Sequence, residues 1–226
     1  MRILAIHGAG EQAAVWRAQS ERLPEVQAID LPGHGRNSGP GRASIGEIAE
    51  GGDGYAGSTP TILAGHSMGG AIALEVALRK PAWLAGLLLV GTGARLRVHP
   101  DLLEMLRSDF PAAVEWMVER STASSSPRGV RDSYRGMLLS AGPDLILADL
   151  LACDRFDVMG RLGEISIPAR AIVGTLDRMT PPKYSEYLRK HMSDCDMTEV
   201  PGAGHMVTLE TGDAVAAAMG GFLLRV

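Results

Sequence analysis

Thr61-Ile62-Leu63-Ala64-Gly65-His66-Ser67-Met68-Gly69-Gly70 reads as a short apolar strand running into a serine bracketed by glycines, and Ala71 to Lys80 reads as a helix. A strand-turn-helix corner this tight brings the residues two before and two after its centre almost into contact. Only glycine is therefore expected to fit at Gly65 and Gly69. The corner strains its central residue by about 1–3 kcal/mol and holds the serine outward. Ser67 is thus the candidate nucleophile. The Met68 amide, at the positive end of the following helix, is the candidate donor to an oxyanion. Glycine, serine, glycine alone is a weak pattern in a chain with 28 glycines in 226 residues. The strand before it and the helix after it give it weight.

Outward from this corner the chain alternates between two periodicities. Before it, Arg2 to Ile6 is a buried strand ending in His7-Gly8-Ala9-Gly10, Glu11 to Leu23 a helix ended by Pro24, and Glu25 to Asp30 a second strand. From Ser38 to Ser58 the signal fades into glycine, with room for one short helix near Ser44 to Glu50, and a mobile surface segment is expected. After the corner, Leu84 to Val90 is a strongly apolar strand. Pro100 to Cys153 then holds no strand-like run, only apolar residues at helical spacing, broken at Ser121 to Pro127. The earlier rhythm resumes with strands at Ala169 to Val173 and Met197 to Val200, and helices at Lys183 to Met192 and Asp213 to Leu224. Apolar strands alternating with helices predict an α/β fold, a mostly parallel six-stranded sheet covered by helices on both faces. The expected division is a core of 1–94 and 166–226, with a helical insertion over 95–165.

Composition narrows the function. A net charge of −4 with scattered arginines gives no electrostatic footprint for nucleic acid, so a small-molecule partner is expected. Cys153 and Cys195 have neither zinc nor redox spacing and read as buried thiols in a reducing compartment. The N-terminal apolar run is too short for a signal peptide, and nothing approaches the roughly 20 apolar residues of a membrane span. A soluble, cytoplasmic protein is expected. No residue cluster has the spacing of a metal site. Gly33-His34-Gly35 follows a strand, but Pro32 blocks the tight turn a dinucleotide loop needs.

In open parallel sheets ligands bind beyond the carboxyl ends of the strands, and Ser67, Asp177 and His205 all lie just past such ends. A serine hydroxyl needs a base, and a histidine base works best when a carboxylate fixes its tautomer. The chain supplies these groups in the order Ser, Asp, His. With Gly65-His66-Ser67-Met68-Gly69-Gly70, the first-strand His7-Gly8, Asp30-Leu31-Pro32-Gly33-His34-Gly35, Gly174-Thr175-Leu176-Asp177 and Gly202-Ala203-Gly204-His205-Met206, it resembles the α/β-hydrolase family over nearly its whole length. The resemblance implies Ser67 as nucleophile, His205 as general base, Asp177 as its orienter, and the amides of Ala9 and Met68 as the oxyanion hole. Asp154 and Asp157 are rivals for the orienting acid. His7, His34 and His66 read as scaffold groups, and Asp30 as the holder of its own turn.

Two departures from the family pattern carry expectations. Members usually open with an antiparallel hairpin before the His-Gly strand, whereas Met1 begins directly at that strand, leaving Val26 to Asp30 as a sheet edge and a monomer or homodimer open. The glycine-rich stretch replaces a longer helix. The expected chemistry needs no cofactor: Ser67 attacks a small carboxylic ester, and water activated by His205 releases the acid. Within the insertion, Arg120, Arg128, Arg131 and Arg135 would suit a substrate carboxylate if they face the pocket. That keeps open an enol-lactonase or carbon–carbon bond hydrolase acting on a small acidic metabolite. A catalytically silent ligand-binding homologue also stays open.

Overall fold

The computed structural model describes residues 1–41, 44–50 and 59–226. Six parallel strands run in the order β2-β1-β3-β4-β5-β6: β1 Arg2–Ile6, β2 Val26–Ile29, β3 Thr61–His66, β4 Leu84–Val90, β5 Ala169–Gly174 and β6 Cys195–Val200. The chain steps outward from β1 to β2 and then crosses back over β1 to β3, so right-handed connections place the intervening helices on opposite faces. Accordingly α1 (Arg17–Arg22) packs against the last helix, Gly212–Leu223, while α2 (Ile45–Glu50) packs against α3 (Met68–Leu78). β3 is buried at all six positions, as the central strand of a covered parallel sheet must be. The outer strand β6 has one fully buried residue of six, Val200.

The register aligns the carboxyl ends. Ile6 pairs with Gly65, Gly65 with Leu89, and Val90 with Ile172, so the segments leaving β1, β3, β4 and β5 emerge along one rim. Between β4 and β5 stand four helices, α4 (Pro100–Ser108), α5 (Phe110–Ser121), α6 (Arg128–Ala141) and α7 (Pro143–Arg155). Their boundaries are chemical: Asp109 accepts the Ala112 amide at 3.1 Å as an N-cap ahead of Pro111, and Gly142, at φ 78°, turns α6 into α7 through 98°. Leu102, Leu138, Ile146 and Leu150 of these helices join Leu4, Leu63 and Leu87 of the sheet in one continuous apolar core.

The structure departs from the sequence reading in places. The helix expected from Glu11 begins later, as a 3₁₀ turn at Ala13–Trp16 leading into α1, because Glu11 is drawn into the interior as a hydrogen-bond acceptor. Cys153 is buried, but Cys195, at the start of the edge strand, is only half-buried. The short helix near Ser44 to Glu50 is present as α2, capped by the Ser44 hydroxyl at 3.2 Å from the Glu47 amide. The mobile segment expected over Ser38 to Ser58 falls partly on residues 42–43 and 51–58, which lie outside the described residues. Among the described residues no single helix is long and apolar enough to cross a bilayer.

Candidate active site

The corner after β3 is fixed sterically. A Cβ on Gly65 would lie 2.2 Å from the carbonyl carbon and oxygen of Gly69, and one on Gly69 would lie 2.4 Å from the Ile6 carbonyl oxygen at the end of β1. The Gly65–Gly69 approach is the one expected; the stop against β1 is an additional constraint. Ser67 sits at φ 51°, ψ −114°, in the left-handed half of the map that L-residues avoid. Its amide donates to the Val90 carbonyl at 2.9 Å, and its carbonyl accepts the Thr92 hydroxyl at 2.7 Å, so β4 and its following turn hold the strained residue. Ser67 is half-buried between the fully buried His66 and Met68. The Met68 and Gly69 amides, first in α3, have no helical carbonyl behind them, whereas those of Gly70 and Ala71 donate to the Ser67 carbonyl at 3.0 and 3.3 Å.

The loops after β5 and β6 meet where glycine permits it. A Cβ on Gly174 would lie 2.3 Å from the carbonyl oxygens of Ala203 and Gly204, and the Leu176 amide donates to the Ala203 carbonyl at 2.9 Å. This approach brings Asp177 and His205 together, with His205 Nδ1 2.8 Å from Asp177 Oδ2 and both residues only 4% exposed. Asp177 Oδ1 accepts the amides of Met179 and Thr180, each at 2.8 Å, and Oδ2 accepts the Thr180 hydroxyl at 2.9 Å. Burial alone would raise the Asp177 pKa. The His205 ring and the Thr180 donors outweigh that and hold the carboxyl below its ordinary value. An ionised acceptor at Nδ1 fixes the His205 proton on that nitrogen and leaves Nε2 as the basic atom. Asp154 and Asp157 lie elsewhere: Asp154 accepts the Val98 amide and Asp157 the Met159 amide, both at 3.1 Å, beside Arg97 and Arg95.

The loop after β1 is held from both sides by carboxylates that the sequence did not single out. Glu11 Oε2 accepts the Gly8 amide at 2.7 Å, and Asp149 Oδ2, from α7, accepts the Gly10 amide at 2.9 Å. The Ala9 amide between them donates to no protein group among the described residues. His66 is fully buried, with Nδ1 2.9 Å from Glu11 Oε2 and Nε2 2.9 Å from the His205 carbonyl oxygen. A carbonyl only accepts, so Nε2 carries a proton. Burial opposes charge on both His66 and Glu11, yet their mutual attraction and hydrogen bond raise the histidine's pKa and lower the glutamate's. His66, read as scaffold, thus ties the strand that leads into Ser67 to the His205 loop. Glu210 ties the insertion to the same loop: it accepts the Gly204 amide at 3.1 Å, the Ala123 amide at 2.9 Å and the Ser126 hydroxyl. Asp30 holds its own turn by accepting the Arg36 amide at 3.0 Å, and also accepts the Ala13 amide at 2.7 Å.

His7 behaves oppositely. Its Nδ1 meets the Gly8 carbonyl at 2.8 Å while Nε2 accepts the Leu31 amide at 3.0 Å, an arrangement that requires the neutral ring. Burial, then the neighbouring His34, lower its pKa to about 4. The native state therefore resists a proton that the unfolded chain takes up near pH 6.5, and stability falls as pH drops between these values, by about 3 kcal/mol in all. His34 and His66, whose pKa values are raised, lose their contribution only as pH rises above 6.5, and so do not mask this slope. Urea unfolding at stepped pH checks it; a flat profile from pH 6.5 to 4 would refute the buried neutral ring.

Three of the four arginines considered for an acidic substrate are engaged within the insertion. Arg135 forms a two-pronged pair with Glu115 at 2.6 and 2.9 Å and also meets Asp132 at 2.6 Å; Arg128 meets Asp132 at 3.3 Å; Arg131 donates to the carbonyls of Ala123 and Ser124. Arg120 instead lies over the Trp116 ring, 4.5 Å from its centroid, beside a cleft of about 360 Å³ lined also by Arg97, Leu150, Arg178 and Met179.

Residues 3–218 match the sequence profile of the Alpha/beta hydrolase family. The pimeloyl-[acyl-carrier protein] methyl ester esterase of Neisseria meningitidis serogroup C / serotype 2a is 29% identical over 235 residues, covering 96% of this chain and 91% of that one. A thermophilic esterase superposes with a TM-score of 0.88 at 35% identity, covering 99% of this chain and 90% of the other. A malate-bound thermophilic esterase from Thermogutta terrifontis superposes with a TM-score of 0.89 at 28% identity, covering 100% and 90%. The chain belongs to the α/β-hydrolase family.

Proposed function

We propose that Ser67, His205 and Asp177 form the catalytic triad of this chain, with the amides of Ala9 and Met68 as the oxyanion hole. The protein is a carboxylic ester hydrolase, in keeping with its esterase relatives. The observation that carries the site assignment is the buried His205–Asp177 pair at 2.8 Å, whose histidine is held through its carbonyl by His66, the neighbour of the strained Ser67.

In this reading Ser67 Oγ attacks the ester carbonyl as its proton passes to His205 Nε2, and the resulting oxyanion rests on the two amides. His205 then protonates the departing alcohol. Water, deprotonated by the same nitrogen, attacks the acyl-enzyme and releases the acid and Ser67. Asp177 stays ionised throughout and stabilises the imidazolium. The insertion of residues 95–165 acts as a cap, in keeping with its bonds to Gly10 through Asp149 and to Gly204 through Glu210. The meningococcal relative is named for a methyl ester substrate. We extend that feature to this chain as an ester of a small alcohol.

The test is a fluorophosphonate probe followed by peptide mapping, with a panel of methyl and p-nitrophenyl esters of increasing acyl length. Modification at Ser67 and turnover of small esters are expected. No modification together with no ester turnover would overturn the reading in favour of a silent binding protein.

A further inference from the structure

Gly8, Ala9 and Gly10 present three successive amides, and the outer two are held by different carboxylates. Glu11, which holds Gly8, belongs to the loop itself; Asp149, which holds Gly10, arrives from the insertion, 139 residues away. Asp149 is 4% exposed. The same Oδ2 that accepts the Gly10 amide also lies 2.8 Å from His34 Nε2. The other ring nitrogen of His34 lies 3.1 Å from the Pro32 carbonyl. A carboxylate and a carbonyl both accept, so each ring nitrogen of His34 carries a proton and the buried pair is an imidazolium facing a carboxylate.

The backbone of the loop needs this support. Gly10 adopts φ 66°, and a Cβ there would lie 2.8 Å from Ile146 Cγ1. Ile146 and Asp149 are one turn apart on α7, so a single helix face presses on Gly10 and accepts its amide. A buried ion pair is weak as a stabiliser, since apolar residues of similar volume in its place are often neutral or better. Its geometry here does something packing cannot: it fixes the direction of the peptide next to Ala9.

We propose that Asp149 is a positioning residue for the oxyanion loop, so that the Ala9 amide is aimed only while the helical insertion is seated. This rests on Ala9 being an oxyanion donor, as proposed above. The insertion then acts on the aim of the oxyanion loop as well as covering the site, and His34, 2.8 Å from Asp149 Oδ2, holds that carboxylate in place against Gly10.

The test compares Asp149→Ala, Asp149→Asn and the double variant His34→Phe/Asp149→Leu. Three quantities are read: kcat, KM, and the inhibition constant of a short alkyl trifluoromethyl ketone. That ketone takes Ser67 Oγ onto its carbonyl carbon, passes the serine proton to His205 and leaves an oxyanion. Losing an oxyanion donor outright costs about 10²–10³ in kcat, and a misaimed donor is expected to cost about 10- to 100-fold. Asp149→Ala should lower kcat by that factor, change KM less than about threefold, and weaken the ketone by a matching factor. Asp149→Asn, which keeps an acceptor for Gly10, should recover most of both. The double variant replaces the ion pair with an apolar one so that the fold survives, and should behave like Asp149→Ala. Irreversibly unfolded enzyme lowers apparent kcat without changing the inhibition constant, and reversible unfolding raises KM and the inhibition constant together while sparing kcat, so neither imitates a fall in kcat with matched weakening of the ketone at steady KM. Unchanged kcat and ketone affinity in the double variant, or equal losses in Asp149→Ala and Asp149→Asn, would overturn the proposal. Failure of the triad reading would look different: the wild-type protein would not be labelled at Ser67.

Discussion

Replacement of Ser67 by alanine is expected to lower ester turnover by about 10⁴-fold or more while leaving the thermal midpoint within a few degrees of wild type. The side chain removed is small and half-buried, and alanine meets the same backbone strain at φ 51° as serine does. Asp177→Asn should fall by a comparable factor for a different reason. An amide at that position directs its NH₂ toward His205 Nδ1, which forces the proton onto Nε2 and removes the base. The Met179 and Thr180 amides bonded to Asp177 Oδ1 favour leaving that oxygen as the carbonyl, so the wrong tautomer is locked in. Initial rates on a short p-nitrophenyl ester check both. Near-normal turnover in either variant would remove the triad, though not the fold.

The largest stability effect is expected at Gly65. Gly65→Ala places a methyl group 2.2 Å from the Gly69 carbonyl and 2.4 Å from the Gly70 nitrogen, and both are backbone atoms of a helix packed against the sheet. No side-chain rotation relieves this, so the cost should exceed the usual overpacking range, at about 3 kcal/mol or more. For a chain of this length that lowers the thermal midpoint by about 6–12 °C or prevents folding. Gly136→Ala is the control: nothing lies within 4 Å of its added Cβ, and the residue is inside α6. There the same change should stabilise by about 0.5–1 kcal/mol. Calorimetry of the pair separates a steric requirement for glycine from a general intolerance of substitution; a stable Gly65→Ala protein would mean that the corner opens.

Glu11 shows why part of the site was hidden. In the sequence it opens an apparent helix and looks like a solvated charge. Only when β3 lies beside β1 does His66 arrive, 55 residues on, to share its proton and draw the carboxylate inside. Asp149 is similar: on α7 it sits among leucines and alanines, and its partners Gly10 and His34 come from two other loops. Thr180, three residues beyond Asp177, is the one missed residue with a local signal. A threonine just after a turn aspartate is suited to hydrogen-bond it, and here it does. The arginines of the insertion were ambiguous for the complementary reason. Arg135 and Arg128 are engaged by Asp132 on their own helix, whereas Arg120 is set beside a cleft by the way α5 packs.

By itself the sequence determined the alternation of strands and helices, the six-stranded parallel sheet, the edge position of β2, the glycine corner and the order of Ser67, Asp177 and His205. These follow from periodicity and from glycine sterics, which act over a few residues and leave their mark in a local window. Only the tertiary structure decided which carboxylate faces which histidine, which amides of the 8–10 loop are held, and which charges of the insertion are engaged. Those outcomes depend on burial and on approach between segments as far as 139 residues apart, where the favourable energy of a charge or amide is set by the partner that the fold delivers rather than by its neighbours in the chain.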